Sequence, residues 1–438
     1  MQAFLEPRTG PQAGRRLRYP LLGHILAHTA REQLLAERMF DPAVDTYLLD
    51  HTLGRQVSEV DPALHGIAMM PLAMTMELLA EGAAYLMGGP RVIGFEDVRA
   101  ARWLVFEGAP RTLRIAARRI EPRSGQAPRV AVQVHDASAA DSTIAEATVV
   151  LGTAYPPPPP ARIPAADHTR SSRWQSPETI YREGMFHGPA WQAVVRLNGS
   201  EPSSASGVLR VLPAAMLLRA RYEPQFEIDP QILDAAGQVI GLWAAETLER
   251  GHIVFPFSVR RLDLQGPAQP AHAELTCAAA IRLIGDRQLE SDIDVAAANG
   301  SLWMRLTGWQ DVRFDVPPQF ARLVMSSGRA LLATADAVSS SLGPGAGHVV
   351  RVVLDVPFGN DAFDAFWMRV WAGVILSRAE RQHFAALALP LTGQLEWLAE
   401  RNAAKDAVRE VLSRAYRLQL RASDVELAEN GRGQLSVR

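Results

Sequence analysis

Two stretches of this chain are apolar nearly all the way round a helix. The first is PLAMTMELLAEGAAYLMGG, from Pro71 to Gly89, and the second is PQILDAAGQVIGLWAAETLERG, from Pro230 to Gly251. Each opens on a proline, which suits the first turn, and closes on glycine, which suits the end. A surface helix carries one apolar stripe, whereas a helix apolar on every side is enclosed. Each is followed by strand signals. RVIGFEDVRAARWLVFEG, RTLRIAARRIEP and PRVAVQVHD follow the first, and FPFSVRRLDLQGP and a long alternating run from Ala273 to Trp309 follow the second, with Gly285-Asp286 and Asn299-Gly300 as turns. The pattern predicts one plan used twice. In each half an antiparallel sheet wraps a central apolar helix, which is an α+β layer arrangement.

Proline- and glycine-rich breaks divide the chain. YPPPPPARIP, Tyr155 to Pro164, cannot continue a helix or a central strand and reads as an extended spacer. VSSSLGPGAGH, Val338 to His348, reads as a small-residue linker. The expected organisation is a linker at 1–20, a first half at 21–155, a spacer at 156–164, a second half at 165–330, a linker at 331–347 and a third piece at 348–438. His24 and His28 read as the surface of a helix start.

Composition narrows the function classes. The 438 residues are 48% hydrophobic and 21% charged, with 45 basic and 47 acidic residues and a net charge of -2. That balance gives no electrostatic case for binding nucleic acid. The single cysteine, Cys277, removes disulfides and cysteine-rich metal sites and fits a reducing, cytoplasmic compartment. No apolar run reaches the ~18 residues of a membrane span, and the basic start has no h-region of a signal peptide.

Chemistry concentrates at three places. LLDHTLG sets His51 just ahead of the first helix. Asp234 lies inside the second helix with Gln238 four residues on, on the same face. A carboxyl there is costly unless paired or protonated, so burial is expected to raise its pKa. GMFHGPAWQ, Gly184 to Gln192, is a turn able to bring Tyr181, His187 or Gln192 to a pocket wall.

In order, LLDHTLG, GIAMMP, FHGPAWQ and LDAAGQ resemble the motifs of polyketide synthase dehydratase domains, over about residues 20 to 315. The resemblance implies a double hot-dog fold. It implies His51 as catalytic base, Asp234 as catalytic acid and Gln238 as the support of Asp234. His187, Gly188, Pro189 and Gln192 match the pocket-shaping motif, with Tyr181 beside it. Gly66 and Pro71 keep the glycine–proline segment, but His51 lies unusually far upstream across TLGRQVSEVDPAL. That spacing is similar to the dehydratases of iterative enediyne or polyunsaturated-fatty-acid synthases, and it makes His65 a rival base. The implied substrate is a 3-hydroxyacyl thioester on the phosphopantetheine of an acyl carrier protein, and the product is a 2-enoyl thioester. The implied partners are that carrier and neighbouring synthase domains, with a homodimer compatible.

The chemistry fits the pair. A neutral histidine suits removal of the C2 proton, and a protonated carboxyl suits the departing hydroxyl. The helix N-terminus after Pro71 is a candidate to stabilise the developing enolate. No metal is required, and no cluster of ligand residues stands out. A hot-dog thioesterase is the rival enzyme class, distinguished by release of free acid. A non-catalytic docking module is the other rival, distinguished by a His51 and an Asp234 that do not share a pocket.

The third piece differs. FWMRVWAGVILSRAERQHF reads as a helix with aromatic anchors, with Ser377 opening another. EWLAERNAAKDAVREVLSR resembles the tryptophan–lysine–acid helix of phosphopantetheinyl transferases, which would give Lys405 a coenzyme A phosphate and Asp406 a magnesium ion. The family's upstream acidic pair has no counterpart at that spacing near Asp355 and Asp361, and the chain stops at Arg438 where that family's sheet would continue. The expectation is a partial, incomplete transferase-like segment; the plain alternative is an amphipathic helix with solvated charges.

Overall fold

The computed structural model describes residues 16–437 except 122–124, 140–141, 164–170, 219–222, 250–252, 333, 338–349, 354–361 and 430–434. Gly251, most of the 331–347 linker, Asp355 and Asp361 therefore lie outside the described residues. The chain divides into two compact units. The first comprises residues 1–51, 69–181 and 187–315; the second comprises 52–68, 182–186 and 316–438.

In the first unit both enclosed helices form, at Leu72–Leu86 and Pro230–Thr247. Pro71 is the N-cap of the first, and Gly88 and Gly89 follow its end with positive φ. Asp229 caps the second through a hydrogen bond from the Ile232 amide at 3.0 Å. Fourteen of the first helix's fifteen residues are buried, which is why its sequence shows no polar face.

The sheet is continuous rather than two separate layers. Its second half runs from Val194–Glu201 through Ser204–Arg210, Glu274–Ile284, Gln288–Ala296 and Leu302–Phe314 to Ile253–Leu264. Its first half runs from Arg91–Ala100 through Thr143–Gly152, Arg129–Asp136, Arg111–Ile120 and Gln33–Phe40 to His24–Thr29. The halves join where Arg91–Ala100 pairs antiparallel with Ile253–Leu264, Phe95 opposite Leu262 and Val98 opposite Val259. These are the strands that directly follow the two helices, so the repeat closes on itself across a shared seam. His24 and His28 are exposed, as expected, but on an outer strand rather than a helix.

The first helix also buries two carboxyls that its apolar pattern obscures. Glu77 accepts the amides of Glu227 and Ile228 at 2.7 and 2.9 Å, and Glu81 accepts that of Leu21 at 2.8 Å. Burial holds both well above the ordinary carboxyl range, helped by the charge of Glu81 near Glu77 and of Glu227 near Glu81. Glu77 anchors the chain just before Asp229, where the second helix begins, and Glu81 anchors Leu21. Glu77→Ala should therefore lower stability by about 2–4 kcal/mol, since two buried amides lose their acceptor. Glu77→Gln, which keeps one acceptor oxygen, should cost less. Urea midpoints of the two variants check the order, and equal midpoints would mean the amides find other partners.

The second unit is built on the insertion that separates His51 from Gly66. Thr52–Gln56 pairs with His65–Met69, Thr52 opposite Ala68 and Leu53 opposite Ile67. Gly66 is required there, because a Cβ would run into the Leu53 carbonyl oxygen. The C-terminal helices Ala362–Ile375, Arg378–Ala386 and Leu391–Tyr416 belong to the same unit. Ser377 opens the middle one with a full capping box to Glu380. Arg421 donates to the Gln56 carbonyl and Ser423 to the Val57 carbonyl. Asp424 accepts from Ser58 at 2.5 Å and from the Glu59 amide at 2.9 Å. The C-terminal piece thus packs on residues more than 300 positions upstream, where chain order places a separate body beginning at 348.

Candidate active site

The first unit sets His51, His187 and Asp234 around one point. A short helical turn, Thr46–Leu48, leads into His51, whose amide donates to the Leu48 carbonyl at 3.1 Å. The Met69 amide donates to the His51 carbonyl at 3.0 Å, and His51 Nδ1 lies 2.9 Å from the Met69 carbonyl oxygen. A carbonyl only accepts, so Nδ1 carries the hydrogen and Nε2 presents its lone pair. Nε2 lies 4.0 Å from Asp234 Oδ1. The first enclosed helix starts at Leu72, just past Met69, so its unpaired N–H groups follow the segment that holds the imidazole.

Asp234 comes from the second enclosed helix. Its Oδ2 accepts from Gln238 Nε2 at 2.8 Å, one turn on. Gln238 also donates to the Trp191 carbonyl at 2.8 Å and accepts from Tyr181 Oη at 2.9 Å, while Tyr181 accepts from the Val194 amide at 2.8 Å. Every polar group of that amide is engaged, so the oxygen it holds is fixed in place.

The turn Gly188–Trp191 supplies the third side chain. His187 Nε2 lies 3.3 Å from Asp234 Oδ2, and its ring centroid is 5.0 Å from that of His51. Asp50, the neighbour of His51, ties the two turns together. Its carbonyl accepts from the Gly188 amide at 2.6 Å, and its carboxylate accepts from the Ala190 amide at 2.9 Å. A Cβ on residue 188 would collide with the Asp50 side chain, so the glycine allows this approach. Pro189 starts the turn, Gln192 closes back on the His187 carbonyl at 3.0 Å, and Trp191 donates to the Tyr47 carbonyl at 2.9 Å.

Burial acts on the two expected reagents in opposite ways. It pulls His51 down to about 4, against the attraction of Asp234, so the imidazole is neutral at neutral pH. Burial pushes Asp234 up, as the sequence led one to expect. Beside His187, His51 and Gln238, however, the carboxyl ends below its ordinary value. The expectation of a raised pKa is therefore corrected: Asp234 rests as a carboxylate.

Of the other candidate residues, Gly66 and the rival base His65 lie in the hairpin of the second unit, where Arg381 donates to the His65 carbonyl at 2.8 Å. It is His51 that stands opposite Asp234. The sequence showed no cluster of ligand-type residues, yet the acceptor and donor atoms of His51, His187 and Asp234 all lie within 4.8 Å of one another. His51 is held by the Met69 carbonyl and Asp234 by the Gln238 amide. His187, expected in the pocket wall, is the residue that sequence reasoning undervalued. Its signal was the one ionisable side chain in GMFHGPAWQ.

Lys405 and Asp406 are placed in the interior of the second unit. Lys405 is fully buried, 2.5 Å from Glu380 and donating to the carbonyls of Ile375 and Ala422 at 2.7 and 3.2 Å. Asp406 accepts from Arg409 at 2.7 Å, Asn402 at 2.9 Å and the Leu332 amide at 2.9 Å. Neither is a solvated charge. The helix that carries them is a core element.

Residues 156–319 match the family model described as the polyketide synthase dehydratase N-terminal domain. Solved dehydratase domains share the fold at low identity. The domain from the CurF module of the curacin polyketide synthase aligns with a TM-score of 0.51 at 17% identity, over 68% of this chain and 100% of that one. The domain of PpsC from Mycobacterium tuberculosis aligns with a TM-score of 0.50 at 19% identity, over 67% and 99%. A domain of a mycocerosic acid synthase-like polyketide synthase aligns with a TM-score of 0.50 at 16% identity, over 68% and 97%.

Proposed function

We propose that this chain is a dehydratase that converts 3-hydroxyacyl thioesters, carried on the phosphopantetheine of an acyl carrier protein, into 2-enoyl thioesters. The observation that carries the reading is the neutral imidazole of His51 facing Oδ1 of Asp234 at 4.0 Å, one from each half of the double hot-dog. Nε2 removes the C2 proton, and Asp234 is the group through which a proton reaches the hydroxyl leaving C3. The N–H groups at the start of Leu72–Leu86 are suited to the charge that builds on the thioester oxygen. The match over residues 156–319 supports a place among neighbouring domains of a polyketide or related fatty-acid synthase. The insertion after His51 supports the iterative enediyne or polyunsaturated-fatty-acid type. No helix among the described residues is long and apolar enough to cross a membrane. Incubation with a 3-hydroxyacyl-carrier thioester tests the reading: the acyl group should lose one water and stay attached to the carrier. Release of free acid would place the chain with the thioesterases instead.

For the C-terminal helices we propose a structural role rather than phosphopantetheine transfer. Magnesium in such a site needs oxygen ligands open to substrate phosphates, whereas Asp406 already accepts three hydrogen bonds and Lys405 is enclosed. Incubating the chain with coenzyme A, magnesium and an apo carrier protein should leave the carrier's mass unchanged. A gain of one phosphopantetheine arm, lost in Asp406→Ala, would show a working transferase.

A further inference from the structure

Asp234 presents its two oxygens to different neighbours. Oδ2 accepts from Gln238 Nε2 at 2.8 Å and lies 3.3 Å from His187 Nε2, while Oδ1 faces His51 Nε2 at 4.0 Å. At 3.3 Å from a carboxylate oxygen, which only accepts, His187 Nε2 carries a hydrogen toward Oδ2. We propose that His187 is a positioning residue of the dehydration site: with Gln238 it makes Oδ2 the accepting oxygen, so that Oδ1, turned to His51, is the one that takes up and gives away the proton. This inference rests on the dehydratase reading above.

The arrangement lets the reaction run on a single proton. The C2–H bond breaks and its proton goes to His51 Nε2. His51 hands it to Asp234 Oδ1, which passes it to the oxygen on C3. The electron pair left on C2 forms the C2=C3 bond as the C3–O bond breaks, and the oxygen leaves as water. His51 ends neutral and Asp234 ends as a carboxylate, as both began, so no outside acid is consumed. A resting carboxylate beside a neutral imidazole fits this cycle. The ionisable and polar groups facing Asp234 are His51 from the turn before the first helix, His187 from the Gly188–Trp191 turn and Gln238 from its own helix. Tyr181 acts on it through Gln238, and Asp50 supports the turn that carries His187.

The test is the pH dependence of kcat and kcat/KM for the parent, His187→Phe and His187→Gln, with circular dichroism to verify folding. The parent kcat/KM should rise once on the acid side and then stay level through alkaline pH, because no pre-protonated acid is needed. His187→Phe should lose about a hundredfold in kcat, the lower end for a positioned acid–base contribution, with KM little changed. The acid-side rise of its profile should also move to higher pH, since a desolvated Asp234 without that donor keeps its own proton to higher pH and reaches the working carboxylate later. His187→Gln, which retains an N–H donor, should recover part of the rate. If His187→Phe does not fold, His187→Gln is read against the parent by the same two measures. Parent-like kcat and an unaltered profile in the folded variant overturn the inference. So does a parent profile that itself falls on the alkaline side. Full turnover by His51→Ala would instead remove the dehydratase reading on which the inference stands.

Discussion

His51→Ala should abolish formation of the enoyl product, with a fall in kcat of about 10³-fold or more, within the range for losing a positioned base. The His51 backbone should stay where it is, because its amide bonds to Leu48 and its carbonyl to Met69. The loss is that of the imidazole alone: Nδ1 is held by the Met69 carbonyl, so Nε2 is the lone pair aimed into the site. Burial cannot remove this base at neutral pH. Since His51 is pulled down to about 4, the acid limb of the parent's activity should fall near that value rather than near an ordinary histidine's 6.5. The cost in stability is about 1–2 kcal/mol for the lost contacts with Trp191 and His187. Absorbance of the conjugated enoyl thioester follows the reaction. A variant that turns over like the parent, while His65→Ala is dead, would mean that the base has been misassigned.

Much of the fold could be read because it rests on local signals. The proline starts, the glycine ends and the absence of a polar face define two enclosed helices, and alternating runs define the strands that wrap them. The seam between the halves could not be read. That Arg91–Ala100 pairs with Ile253–Leu264 depends on two segments about 160 positions apart, and no local pattern records it. The second unit was hidden for the same reason. TLGRQVSEVDPAL looks like an insertion in one half, and only its partners Arg421, Ser423 and Asp424 show what it supports. Lys405 and Asp406 look like reagents or solvated charges because a helix sequence does not show that Glu380 and Arg409 will enclose them. At the site, type and order of residues singled out His51, Asp234 and Gln238, and the structure brings the three together. The pKa of Asp234 could not be read, because burial alone raises it, and His187, whose nearness was unforeseen, acts with His51 and Gln238 to bring it below its ordinary value.

Asp234→Asn tests the other half of the dyad and should cost nearly as much as His51→Ala. The substitution keeps the shape. The amide oxygen can still accept from Gln238, whose other bonds to Trp191 and Tyr181 do not involve residue 234. The other end of the amide then faces His51 Nε2 as a donor, where the carboxylate offered an acceptor. Such a group can neither take the proton His51 has removed from C2 nor deliver one to the hydroxyl on C3. Bond breaking at C3 would then have to expel hydroxide without a proton, so kcat should fall about 10³-fold while KM changes little. Stability should move by no more than about 1 kcal/mol, because the position remains polar and hydrogen-bonded. Exchange of the C2 proton with deuterated solvent separates the two roles. Where His51 is intact and Asp234 is Asn, C2 exchange can persist although no enoyl product forms. Loss of both together in Asp234→Asn, with folding intact, would show that the carboxylate is needed to remove the C2 proton, and the division of labour between the two residues would have to be redrawn.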